Sequence, residues 1–133
     1  MKEWESGYVA GIIDGEGTIT LSRMHSHEYR RPCISIASTD KELLLYIQSL
    51  TGGTICNKRN YNPVKHKDSF TLIIKKDVIS LLEQITPYLR VDKKKKRAQW
   101  IITHYEHVTA RNGKYSQENL VRKIQFEDYF FQI

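Results

Sequence analysis

From Val9 to Gly17 the chain reads V-A-G-I-I-D-G-E-G, and with Gly7 this sets a glycine at every fourth position as far as Gly15. Residues four apart share one face of an α-helix, so a helix here carries a stripe with almost no side-chain bulk, flanked by Ala10 and Asp14. Tyr8, Val9, Ile12 and Ile13 cover the remaining apolar arc. Glycine inside a helix costs roughly 1 kcal/mol relative to alanine, so three in one helix need a compensating contact. Close approach of a second backbone supplies it.

Glu16 falls at the carboxyl-terminal end of this predicted helix, where unpaired carbonyls and the macrodipole already present negative charge. A carboxylate there calls for a cation. If the glycine face packs on a symmetry mate, two copies of Glu16 approach the two-fold axis and their repulsion deepens that need. A divalent metal held by the carboxylates and a nearby backbone carbonyl, such as that of Gly17, answers it.

A length of 133 residues is one domain, 1–133, able to bury roughly two thirds of its unfolded surface without staples. Cys33 and Cys56 lack C-x-x-C spacing and fall in strand-like segments, which argues against a disulfide framework or zinc site and for a reducing, intracellular compartment. No apolar run approaches the ~20 residues that span a bilayer, so neither secretion nor a membrane partner is expected. Net charge is +6, unevenly placed: residues 23–31 hold three Lys or Arg against one acid, 57–67 four against none, and 93–97 five against none. The remainder is net acidic, so one basic surface faces an anionic partner, for which nucleic acid is the first candidate.

Residues 18–24 and 32–37 alternate apolar and polar positions, as do 54–59 and 69–74, giving two predicted hairpins whose connecting loops are the first two basic windows. Between them, Thr39-Asp40-Lys41-Glu42 reads as a capping box with Thr39 as N-cap, ahead of Leu43, Leu44, Ile47 and Leu50 at helical spacing and a Gly52-Gly53 stop. Further helices are predicted from Asp77 to Pro87, from Asp92 to about Val108, and from Ser116 towards the carboxyl terminus. The fold class is α+β, in the order αββαββα, with an antiparallel four-stranded sheet backed by helices and one face left open. That open face would show Thr20, Ser22, Ser35, Cys56, Lys58, Ser69 and Thr71. Small polar and long basic side chains on a two-stranded ribbon suit the base edges and phosphates of a major groove.

The motif from Val9 to Gly17 closely resembles the signature of the LAGLIDADG homing endonucleases, with Val9 and Ile12 for leucine, Gly15 for alanine and Glu16 for aspartate. The element order also matches that family over nearly the whole chain, most weakly after Gly113. A single copy of the motif implies a homodimer, with Gly7, Ala10, Gly11 and Asp14 at its interface, although the position of Asp14 also fits helix packing and capping. The resemblance implies that paired Glu16 side chains, with Gly17, bind Mg²⁺, for which Mn²⁺ can substitute. It further implies hydrolysis of both strands of double-stranded DNA at a long, near-palindromic site, leaving 3′ overhangs. A catalytic lysine aligns best with Lys94, closely followed by Lys93, and a solvent-ordering polar residue with Thr39 or Ser38.

The basic loops and the open sheet face together nominate as DNA contacts Arg23, His25, Arg30 and Arg31 from the first hairpin, Arg59, Lys65 and Lys67 from the second, and the seven face residues already named. His104 and His107 share a helix face but lack further ligands at zinc spacing. A second reading is a splicing maturase acting on host intron RNA, or a non-cleaving DNA-binding protein of the same fold. Retention of both Glu16 and the lysine run favours cleavage.

Overall fold

The computed structural model describes residues 1–58 and 68–133. The chain runs α1 (Glu3–Glu16), β1 (Gly17–Ser22), β2 (Arg31–Ser38), α2 (Lys41–Thr51), β3 (Thr54–Lys58), β4 (Ser69–Ile74), α3 (Val78–Ile85), α4 (Asp92–His104) and α5 (Gln117–Gln132). Short 3₁₀ turns at Thr86–Tyr88 and Glu106–Val108 follow α3 and α4. The order αββαββα and the α+β class read from the sequence are those of the structure, with α4 and α5 completing it.

The strands lie in the order β1-β2-β4-β3, every neighbour antiparallel. Because side chains alternate across a strand, the period-two apolar positions all fall on one face. Ile19, Leu21, Ile34, Ile36, Leu72 and Ile74 are buried there, against Val9 and Ile13 of α1, Leu44 and Ile47 of α2, and Leu82 and Ile85 of α3. Phe126 and Phe130 of α5, with Ala98 and Ile101 of α4, close the same core.

Two glycines are required by close packing. A Cβ on Gly17 would lie 2.8 Å from Ile13 Cα, so the chain can turn from α1 straight into β1 only with glycine there. Gly53, at φ +106°, ends the turn after α2 with its missing Cβ 2.7 Å from the Ile73 carbonyl oxygen.

The capping box expected at α2 does not form. The helix starts one residue later, with Asp40 as N-cap and no side-chain cap, because the Asp40 N–H donates to Ser38 Oγ (3.0 Å) and bends the chain at Thr39. Thr39 is therefore an exposed residue ahead of the helix, not its cap. At α5 the expectation holds: Ser116 Oγ accepts from the Asn119 N–H at 3.2 Å. The fourth helix is shorter than its periodicity predicts, since it tightens into the 3₁₀ turn after His104.

Candidate active site and nucleic-acid interface

The inward face of α1 carries Ser6, Val9, Ala10 and Ile13, all buried in the protomer's own core. Ala10 is 0% exposed, which removes it from the expected dimer interface: its small side chain lets α1 sit closely on its own protomer. Asp14, half-buried, turns towards α4, its carboxylate accepting the N–H groups of Arg90 (2.9 Å) and Val91 (3.0 Å) at the start of that helix. Asp14 thus caps a helix to which it does not belong, and Val91 has no side-chain cap of its own. The opposite face is open. A methyl group added at Gly7, Gly11 or Gly15 would meet nothing within 4 Å, and Trp4 and Tyr8 beside them are 60% and 41% exposed.

Lys94 returns the service that Asp14 performs. Its Nζ donates to the carbonyl oxygens of Ile13 and Asp14, both at 2.8 Å, and so supplies a cation to the carboxyl-terminal turn of α1. The dipole of α1 is answered by this lysine, which leaves Glu16 exposed and, among the described residues, without a hydrogen-bond or ion-pair partner. No three His, Cys, Asp or Glu side chains among the described residues gather where they could hold a metal. One protomer offers the Glu16 carboxylate and the Gly17 carbonyl, oxygen donors suited to a hard divalent cation but too few to fill its shell.

A shallow depression beside this corner is lined by Thr18, Ile19, Lys93, Lys94 and Arg97. Arg97, one helical turn after Lys94, was not singled out by the sequence, although their i, i+3 spacing on one face is the signal that could have found it. Its guanidinium donates to the Ile19 carbonyl (3.0 Å) and lies 4.7 Å from the centre of the Phe130 ring, while its Nε is buried without a partner. Burial lowers its pKa, yet an arginine keeps its charge under such conditions. By register Gly17 pairs with Ile36, so the end of β2 that leads to Thr39 lies at the same end of the sheet as Glu16.

Register also settles the open face of the sheet. Thr20 pairs with Cys33 and Ser22 with Arg31, Thr18 meets Ser35 and Ser35 meets Ile73, and Thr71 lies between Ala37 and Cys56. Lys58 pairs with Ser69 at the far edge. Thr20, Ser22, Ser35, Cys56, Ser69 and Thr71, predicted for the open face, therefore share it. Both cysteines lie on it too, Cys33 buried and Cys56 exposed.

The loop residues divide. Arg23 and His25 are exposed, with the His25 and His27 rings 5.8 Å apart, and Arg31 is exposed at the start of β2. Arg30 is instead engaged by α5, with Nη1 3.4 Å from Glu127 Oε1 and its guanidinium over the Phe131 ring at 4.8 Å. It fastens the base of the first hairpin to the last helix. Arg59, Lys65 and Lys67 lie outside the described residues. His104 packs on Trp100, ring centroids 4.0 Å apart, as a side chain of the helix surface.

Among solved structures, the homing endonuclease I-CvuI in complex with the I-CreI target and 2 mM Mg, its DNA not cleaved, is similar with a TM-score of 0.71 at 20% identity. The match covers 98% of this chain and 82% of that one. The archaeal intron-encoded homing endonuclease I-Vdi141I, complexed with DNA, matches with a TM-score of 0.62 at 16% identity over 99% and 85% of the two chains. I-SmaMI, bound to uncleaved DNA target with calcium ions, matches at 0.55 and 20% identity, but its match covers 99% of this chain and only 45% of that one. No curated protein matches the sequence. The family model described as a LAGLIDADG-like domain matches residues 3–129. With an acid at the end of a glycine-striped helix and an open sheet beside it, this chain belongs to the LAGLIDADG family, that of its homing-endonuclease structural neighbours.

Proposed function

We propose that this chain is a homodimeric, divalent-metal-dependent endonuclease that cuts both strands of a long, near-palindromic DNA site, leaving 3′ overhangs, in the homing of an intron or intein. The observation that carries it is Glu16: exposed and unpartnered among the described residues, it ends a helix whose glycine face nothing in the protomer covers. A second copy packed on Gly7 and Gly11 accounts for the cost of those glycines and brings a second Glu16 to the dyad. The lengths agree, since the chain spans most of I-CvuI and I-Vdi141I but about half of I-SmaMI.

Glu16 and the Gly17 carbonyl from each protomer would hold Mg²⁺, or Mn²⁺ in its place, which when bound acidifies water and stabilises charge on the phosphorane. The chain's own residues supply the rest. Lys94, fixed on the last carbonyls of α1, keeps a positive charge beside the acid without neutralising it. Lys93 and Arg97, at the depression next to Thr18, offer donors to the phosphate oxygens, and Arg97 is held ready by the Ile19 carbonyl and the Phe130 ring. Thr39, freed from capping, can order solvent at the same end of the sheet. The open face, with Arg23, His25 and Arg31 at its margin, reads the major groove and neutralises phosphates.

The test is incubation of the purified protein with a plasmid carrying the uninterrupted host gene, in Mg²⁺ and in Ca²⁺. Linear product is expected with Mg²⁺, and Glu16→Gln should bind the plasmid while cutting at least ~10²–10³-fold more slowly, the scale of losing one charge-stabilising group. Wild-type protein that binds but leaves DNA intact while accelerating splicing of host intron RNA would replace this reading with the maturase one.

A further inference from the structure

A second polar cleft lies away from Glu16 and shares no lining residue with the depression beside it. It opens between the loop joining β1 to β2 and the segment joining α4 to α5, with a volume of about 480 Å³, within the range of small-molecule sites. Three kinds of unfinished chemistry meet there. Arg31 and Arg111 line it without an ion-pair partner among the described residues. Glu28, also in its wall, has a buried carboxylate oxygen, Oε2, with no hydrogen-bond partner. The rings of Tyr29 and Tyr115 stand edge to face at 4.9 Å on its lining.

An occupant that completes all three must present an anion to the arginines, a hydrogen-bond donor to Glu28 and a flat ring to the tyrosines. A bare phosphate satisfies only the first. A base inside a duplex keeps its faces and pairing edge occupied, whereas an unpaired one stacks on aromatic side chains and offers that edge. We propose that this cleft binds a single unpaired nucleotide, its phosphate on Arg31 and Arg111, its base against the Tyr29–Tyr115 pair, and an amino or hydroxyl hydrogen donated to Glu28.

The floor of the cleft supports this. Lys123, 1% exposed, donates to Thr109 Oγ1 at 2.7 Å and lies 4.4 Å from the Tyr105 ring centre, while the nearby Glu127 carboxylate is taken up by Arg30. Burial pulls the Lys123 pKa down to about 8 against the raising effect of Glu127, and a phosphate nearby favours its charged form. The site goes beyond the cleavage reading, with which it shares Arg31, and its binding does not require cleavage.

The test is calorimetric titration of the full chain with the four nucleoside monophosphates, with adenosine and with inorganic phosphate. Saturable binding of at least one monophosphate is expected, with adenosine and phosphate each at least about tenfold weaker, the scale of one charge-assisted hydrogen bond. Arg111→Ala should weaken the nucleotide by about the same factor and Glu28→Gln by less, with melting temperatures unchanged, while Glu16→Gln leaves binding intact. A short single strand that binds more tightly than the mononucleotide assigns the nucleotide to a strand, and equal affinity assigns it to the free pool. No saturation by any monophosphate, phosphate binding as tightly as nucleotide, or indifference to Arg111→Ala would each overturn the proposal.

Discussion

At the α1–α4 corner, Asp14 and Lys94 each serve the end of the other's helix, whereas at the α5 corner Lys123 and Glu127 belong to one helix and face inward together. In the first, both charges meet backbone dipoles: the carboxylate takes two N–H groups and the ammonium two carbonyls. In the second, a single carboxylate stands against Arg30 and near Lys123, and Lys123 makes do with a hydroxyl and an aromatic ring. Helix ends can absorb charge without forming an ion pair, which leaves the neighbouring Glu16 unneutralised. A buried cluster with more cations than acids has no such outlet, and it keeps an appetite for anions.

The largest effect separating the two corners is expected from Glu127→Ala. It leaves Arg30 and Lys123 without their carboxylate and should cost about 2–4 kcal/mol in urea denaturation. A loss under about 0.5 kcal/mol would mean that the cluster is not short of negative charge. Asp14→Ala comes next, at about 1–2 kcal/mol, because two helix-start N–H groups lose a charged acceptor that is partly open to water. It should also slow cleavage, by loosening the α4 turn that holds Lys94.

The smallest effect, and the sharpest comparison, is Lys123→Met measured against pH. The unfolded lysine keeps its proton to about 10.5, while the folded one releases it near 8. Between those values the unfolded state binds more protons, so the wild type gains stability relative to Lys123→Met as pH rises from 8 to 10.5. A constant difference across that window would show that Lys123 is not held against its charge.

Much of the site was legible because its signals are local. The alternation in residues 18–24 and 69–74 allowed Thr20, Ser22, Ser69 and Thr71 to be placed on one face, and the register put them there. The capping role of Asp14 was legible from its place beside the stripe, but the burial of Ala10 was not, since glycine spacing marks the stripe and not how far round the helix the protomer's own core reaches. Thr39 was misread as a cap because the Ser38 hydroxyl, one residue earlier, competes for the same backbone. Arg30 looked like any other loop cation until α5 brought Glu127 to it.

The amino-acid order alone determined the glycine-striped helix, the acid at its end, the two hairpins and the open polar face, because helix and strand periods repeat within a few residues and need no distant partner. Only the tertiary structure decided which of four consecutive lysines reaches the last turn of α1, a contact spanning 80 residues of chain, and which arginines stay unpaired around Glu28. Charges find partners through space, and sequence spacing carries no record of an approach made only when the core closes.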